Sequence, residues 1–441
     1  MFEAGQAWRD IVSSTIEIQP VAAPLDATIR PPGSKSLTNR ALICAALAQG
    51  TSTLQGALDS EDTRVMIDAL GQLGVSIVES REDQAIRVTG CGGTIPSDRA
   101  EVYVANSGTT VRFLTALVAL GHGTFRLHGT RRMHERPIGD LLDALDQLGV
   151  KAQSEAGTGC PPVVVYADGL RVERVSMRSD VSSQFLSALL MVAPFASAAS
   201  GSRWLRVDVD GELVSKPYVE MTVAVMRAFG AHVTHDAQLR HFEVELSGYR
   251  AQDFQIEPDA SAASYFWAAA AITGGRVRVE GLSRSSLQGD VAFCECLARM
   301  GCEVLYDTNS ITVRGGPLRG IDADMNSISD TVQTLGVVAL FAEGPTTISG
   351  VGHIRHKETD RITALAAELR KLGATVEERP DGLRILPGDL HGATIDTYDD
   401  HRMAMSLALA GLKIKGVVIN DPGCTAKTYP RFFDDLARLR S

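Results

Sequence analysis

The sequence predicts an α/β protein of two domains, each made of three copies of one repeated unit, and three observations lead there. The first is length, because 441 residues exceed what one hydrophobic core organises. The second is a recurring phrase: a glycine, a short alternating run, a loop, a helix-like run and an apolar residue followed by glycine. It opens at Gly50, Gly123, Gly201, Gly275, Gly344 and Gly416, 69 to 78 residues apart, with the sixth copy truncated. That period exceeds the roughly 20 to 50 residues of a solenoid repeat, so each copy is a small fold of its own. The third is the periodicity inside a copy.

In the first copy Val65, Met66, Ala69, Leu70 and Leu73 recur at helical spacing and stop at Gly74, a residue suited to the left-handed position that ends a helix. The runs VSIVES and AIRVTG read as strands. A second helix opens after Gly108 and Thr109, with Val111, Leu114, Leu117 and Val118 as its buried face. One unit is therefore strand, helix, two or more strands and another helix, and six units over two domains give three in each.

Composition narrows the function. Hydrophobic residues make up 44% and charged residues 22%, mean hydropathy is +0.02, and no apolar run reaches the ~18 residues of a membrane span. A net charge of −10 argues against a nucleic-acid-binding surface, so any anion site is a local gathering of positive charge. Seven cysteines, odd in number and mostly set in apolar helical patterns, suit reduced core thiols and a cytoplasmic protein. The opening MFEAGQAWRDIVSST lacks the pattern of an export signal.

The unusual residues fall in the segments between strand and helix, where α/β scaffolds carry ligand loops. PPGSKSLTNRA puts Lys35, Ser36 and Arg40 at a helix start whose free N–H groups suit an anion; Ile29 and Ser34 stand where a Walker A loop needs glycines. The alternative is a basic helix start facing solvent. NSGTTVR is a second turn entering a helix, and RRMHERP gathers three arginines, although a charge run is usually a solvated face. In SDVSSQF, Ser182, Ser183 and Gln184 can donate to phosphate or simply cap the next helix. In HKETDRI, Lys357 and Arg361 are expected at i,i+4 on one helix face, where like charges repel unless an anion lies between them, with Glu358 beside them. YDDHRMAM places Asp399, Asp400, His401 and Arg402 before an apolar helix, and CTAKTYP supplies Lys427. Cys294, Cys296 and Cys302 lack zinc-ligand spacing, and His353, His356 and Glu358 do not make HExxH. Together these loops favour one shared polyanion site.

GSKSLTNRA, NSGTT followed by Arg112, ERPIGDLLDAL, VSSQFLSALLM, LVSKPY, DASAASYF, HKETDR, DDHRMAM and DPGCTAKTYP resemble, in order from about Ile18 to Leu439, the motifs of the EPSP synthase (3-phosphoshikimate 1-carboxyvinyltransferase) family of enolpyruvyl transferases. The resemblance implies a two-domain inverse α/β barrel of six βαβαββ units. Residues 34–256 would form one domain and 1–33 with 257–441 the other, the active site lying in the cleft between them. It implies transfer of the enolpyruvyl group of phosphoenolpyruvate to the 5-hydroxyl of shikimate 3-phosphate, releasing phosphate, in the shikimate pathway to chorismate and the aromatic amino acids.

Carried over by motif, shikimate 3-phosphate would meet Lys35, Ser36, Arg40, Ser182, Ser183, Gln184, Ser215, Asp330 and Lys357. Phosphoenolpyruvate would meet Lys35, Gly108, Arg136, Gln184, Arg361, Arg402 and Lys427. The chemistry calls for an acid and a base: Glu358 is the implied proton shuttle at C3, Asp330 the base toward the hydroxyl, and Lys35 and Lys427 assist. No metal or organic cofactor, nucleic acid or membrane is implied, and a monomer is expected. Three positions depart from the commoner pattern: His353 where many relatives have Asn, Asp180 where Ser is frequent, and Phe113 where glyphosate-sensitive relatives often have Pro. A sister enzyme acting on UDP-N-acetylglucosamine is the alternative, but its reactive loop cysteine has no counterpart between Cys91 and Cys160. A non-catalytic anion-binding scaffold is the other, and the pair Asp330 and Glu358 argues against it.

Overall fold

The computed structural model describes residues 14–80, 85–198 and 201–440; the N-terminal stretch read above for an export signal lies almost wholly outside them. The chain divides into two compact units, one of residues 33–256 and one of residues 1–32 with 257–441. Each has its own continuous apolar core.

Among the described residues six sheets account for the six repeats. The middle repeat of the 33–256 unit shows the pattern: Arg99–Tyr103, helix Gly108–Val118, His122–His128, helix Gly139–Gln147, Lys151–Ser154 and Val163–Asp168. The first two strands pair in parallel across the helical crossover, and the last two add antiparallel. This is βαβαββ, opening one strand and helix earlier than the glycine phrase suggested. Two repeats are completed from afar. Asp253–Gln255 pairs in parallel with Gln49–Gln55, and Asp26–Ile29 with Arg276–Glu280. The truncated sixth copy is a three-stranded sheet, closed when Thr15–Ile18 runs antiparallel to Val417–Asn420.

Each repeat carries two kinds of helix, and their sequences say why. Gly108–Val118, Ala260–Thr273, Val332–Ala339 and His401–Ala408 are buried along their whole length. Ala260–Thr273 and Val332–Ala339 have almost no polar face to expose, whereas the other two also bury Arg112, His401 and Arg402. Glu61–Gln72 and Arg361–Lys371 are amphipathic. The first is fixed by a capping box between Ser60 and Thr63 and ends where Gly74 takes φ +90°, a conformation that L side chains resist. Helix N-termini, with their unsatisfied N–H groups, thus recur at the same point of each repeat.

Two readings change. The helix after NSGTT starts at Gly108 itself, capped by Ser107, and all of its residues are buried. Lys357 and Arg361 do not share a helix: Lys357 is extended, and the helix begins at Arg361 after the Asp360 cap. Asp360 accepts from Ile362 N and Thr363 N, so the carboxylate cap outcompetes helical continuation back to Lys357.

Candidate active site

In the 33–256 unit the marked residues gather at helix starts. Lys35 and Ser36 are the first residues of helix Lys35–Leu47, capped by Ser34. One turn on, Arg40 is buried and donates to Thr222 Oγ1 (2.7 Å), Ser187 Oγ (3.4 Å) and the carbonyls of Ser36 and Tyr218. All four acceptors are neutral. Burial pulls its pKa down to about 10, against smaller opposing effects of Tyr218 and Cys44. Its guanidinium also lies 5.4 Å from the Phe113 ring centre, so that family departure packs against a cation.

Ser182 and Ser183 open helix Ser183–Val192, Ser182 as its cap. The cap reading therefore holds for Ser182 without removing its hydroxyl from other use. Gln184 accepts from Arg112 Nη1 at 2.7 Å and donates to Thr109 Oγ1 at 3.3 Å. Arg112 also donates to the Pro137 carbonyl and stacks over Phe185. Of the RRMHERP arginines, Arg131 is exposed and Arg132 half-buried, while Arg136 is buried and donates to the Asn106 carbonyl at 2.9 Å. A Cβ at Gly108 would lie 2.3 Å from Arg136 Nη2, so glycine here is what lets the arginine lie against the helix start. Ser215 takes φ +53° as it leads into helix Lys216–Ala228.

In the other unit the predicted residues form one connected charge network. Arg361, 1% exposed, donates to Asp400 (Nε to Oδ2, 2.8 Å), Glu358 Oε2 (2.9 Å) and Asp330 Oδ1 (3.3 Å). Arg402 reaches Asp330 Oδ2 at 2.8 Å, Lys427 reaches Glu358 Oε1 at 3.2 Å, and Lys357 stands 3.9 Å from Asp330 Oδ1. Lys357 and Arg361 thus converge on Asp330, by a loop rather than a helix face. Burial alone would lower the Arg361 pKa, but Asp400, then Glu358 and Asp330, reverse this and hold it above the ordinary range. His353 is pushed down to about 4, chiefly by burial and then by Lys357, and is neutral at pH 7. Arg355 pins the same loop from outside, donating to Asp360, Glu378 and the Arg379 and Pro380 carbonyls.

Sequence reasoning marked Asp400 and Arg112 inside motifs but gave neither a role. Asp400 is fully buried, caps helix His401–Ala408 through Arg402 N and holds Arg361. An aspartate directly before an apolar run was the available signal for the cap, and a lone arginine in an apolar helix was the signal for Arg112. Cys294, Cys296 and Cys302 are buried thiols on and just after helix Phe293–Arg299. No group of three or more His, Cys, Asp or Glu among the described residues is placed to hold a metal ion.

Six α/β repeats in two units, with lysines, arginines and carboxylates gathered at helix starts, define the fold class of the enolpyruvyl transferases. A solved enolpyruvyl transferase, NikO of Streptomyces tendae, shares that fold at a TM-score of 0.76 and 21% identity, over 96% of both chains. EPSP synthase of Acinetobacter baumannii superposes with a TM-score of 0.78 at 25% identity, over 96% of this chain and 98% of that one.

The model of the EPSP synthase (3-phosphoshikimate 1-carboxyvinyltransferase) family matches residues 20–436, and the chain belongs to that family. The 3-phosphoshikimate 1-carboxyvinyltransferase of Nostoc punctiforme is 50% identical over 95% of this chain and 97% of its own. That of Ralstonia pickettii is 48% identical over 92% and 95%.

Proposed function

We propose that the protein transfers the enolpyruvyl group of phosphoenolpyruvate to the 5-hydroxyl of shikimate 3-phosphate, and that the residues carried over by motif hold the two substrates. Lys35, Ser36, Arg40, Ser182, Ser183, Gln184 and Ser215, with Asp330 and Lys357, hold shikimate 3-phosphate. Lys35, Gly108, Arg136 and Gln184, with Arg361, Arg402 and Lys427, hold phosphoenolpyruvate, whose phosphate and carboxylate suit guanidinium and ammonium donors.

The observation that carries the reading is Glu358 bridging Arg361 and Lys427, with Asp330 joined to the same Arg361. Two carboxylates for proton transfer thus sit among the cations that would bind the anionic substrate. Glu358 delivers a proton to C3 as the 5-oxygen attacks C2, and Asp330 takes the hydroxyl proton. The tetrahedral adduct then loses a C3 proton back to Glu358 as the C2–O bond to phosphate breaks. An arriving anion competes for Arg361 and Lys427, which loosens their hold on Glu358 and lets it carry the proton. Lys35 and Lys427 neutralise the departing phosphate.

A cytoplasmic monomer fits this reading: all seven cysteines are free thiols, and the large exposed apolar side chains, such as Val78, Tyr103 and Leu305, lie on different elements. The test is phosphate release, expected only when phosphoenolpyruvate and shikimate 3-phosphate are both present. Equal release with UDP-N-acetylglucosamine in place of shikimate 3-phosphate, or none with either acceptor, overturns it.

A further inference from the structure

Two consecutive residues before Asp400 lie in the left-handed region without being glycine: Tyr398 at φ +58° and Asp399 at φ +54°. With Asp400 N donating to the Thr397 carbonyl at 2.9 Å, they are the central pair of a turn that normally takes Gly, Asn or Asp. Tyrosine is a poor choice for such a backbone, and strained conformations persist only where the surroundings over-determine them. Burial does not explain the choice, since Tyr398 is 42% exposed.

What holds the turn is helix Arg361–Lys371, gripped at two points. At one end the Tyr398 hydroxyl donates to Glu368 Oε1 at 2.7 Å, and Asp396 N donates to Glu368 Oε2 at 3.1 Å. Glu368 is fully buried and is steadied by Lys371 at 2.9 Å. Burial, then the bond to Glu368, raises the Tyr398 pKa above the ordinary phenol range, so the hydroxyl keeps its proton and donates. At the other end the Asp400 carboxylate takes Arg361 and the N–H of Arg402. Arg361 and Glu368 are seven residues apart on that helix, about 10 Å at 1.5 Å per residue, and the strained turn spans them.

We propose that Tyr398 and Glu368 form a latch that keeps this turn in its strained form and so aims Arg361 and Arg402, making both positioning residues for phosphoenolpyruvate. The proposal rests on the reading that those arginines bind phosphoenolpyruvate. Asp400 takes the Arg361 guanidinium and the backbone N–H of Arg402 with one carboxylate. Relaxation of the turn therefore shifts the Arg361 side chain and the start of the helix that carries Arg402, whose own guanidinium reaches Asp330. Neither Tyr398 nor Glu368 is among the groups assigned to the substrates.

Tyr398→Phe removes the hydroxyl bond to Glu368 and keeps the ring and the β-carbon that make this backbone strained, so the turn is free to relax. It is expected to raise KM for phosphoenolpyruvate at least fivefold, with KM for shikimate 3-phosphate within twofold of the parent and little change in Tm. Adding Asp399→Gly removes strain at one of the two positions, so the double variant should recover most of the affinity. Arg402→Lys calibrates the measurement. If it raises KM for phosphoenolpyruvate and Tyr398→Phe does not, the latch is overturned and the assignment of the arginine stands. If neither variant raises it, the assignment falls and the latch with it. Equal rises in both KM values, or no recovery in the double variant, mark a general loss of structure and also overturn the latch.

Discussion

The two clusters of positive charge are stabilised in opposite ways. In the 33–256 unit Arg40, Arg112 and Arg136 donate to hydroxyls, an amide and carbonyls. In the other unit Arg361, Arg402 and Lys427 meet Asp330, Glu358 and Asp400. The desolvation of Arg40 is left to neutral acceptors and lowers its pKa, whereas that of Arg361 is more than offset by carboxylates. A cation held by neutral groups keeps its full charge for a substrate anion. A cation held by carboxylates yields part of it, but brings the acids and bases that the reaction needs.

The largest expected effect tests the proton-transfer half of that contrast. Glu358→Gln keeps the size and one acceptor oxygen, toward Arg361 or Lys427 but not both, and removes the titratable group. It should lower kcat by roughly 10²–10⁴-fold with a smaller change in either KM, and turnover within threefold of the parent would remove Glu358 from the mechanism.

The same substitution in both clusters then sharpens the comparison. Arg361→Met leaves Asp400 buried beside a thioether and is expected to cost about 3–5 kcal/mol, as when a buried pair loses one partner. Arg40→Met removes a buried cation whose acceptors keep other bonds, since the Thr222 hydroxyl lies 2.9 Å from both Ser187 Oγ and the Tyr218 carbonyl and donates to one of them. Its stability should stay within about 1 kcal/mol of the parent, while KM for shikimate 3-phosphate rises. Urea unfolding of the two variants decides it, and equal losses would erase the distinction between the clusters.

Gly108→Ala probes how tightly the neutral-held cluster is fitted. The added methyl, 2.3 Å from Arg136 Nη2, must push the guanidinium aside. Glyphosate, expected from the family resemblance to compete for the proposed phosphoenolpyruvate site, should bind at least tenfold more weakly, about 1.4 kcal/mol, with a smaller rise in KM for phosphoenolpyruvate. Equal proportional losses in the measured inhibition constant and KM would show that the position does not discriminate.

The smallest effect concerns His353 beside the carboxylate-rich cluster. Its folded pKa of about 4 lies below the ordinary ~6.5, so protonation favours the unfolded chain. The stability it allows is present above about pH 6.5 and is lost as pH falls toward 4. Between pH 7 and 5.5 the parent should therefore lose roughly 1 kcal/mol that His353→Asn keeps. Parallel stability profiles for the two proteins over that range would contradict it.

Much of this molecule is legible in local pattern. Helix Glu61–Gln72, the strands around it and the buried thiols of FCECLARMGC follow from spacing and caps, which act over a few residues. The motif residues at the helix starts are visible for the same reason. The reading that fails is also local: helical spacing extends from Arg361 back to Lys357 only by crossing Asp360, whose carboxylate caps the helix instead.

By itself, then, the sequence determined the six-fold repeat, the kinds of helix and the places where charge gathers, because periodicity and capping are short-range. Only the tertiary structure decided which charges compensate which. Arg361 meets Asp400 across 39 residues and Arg40 meets Thr222 across 182. It also decided that Thr15–Ile18 completes the last repeat and Asp253–Gln255 the first. The reason is physical: desolvation and Coulomb energy depend on distance and burial in the folded chain, and spacing along the sequence carries neither.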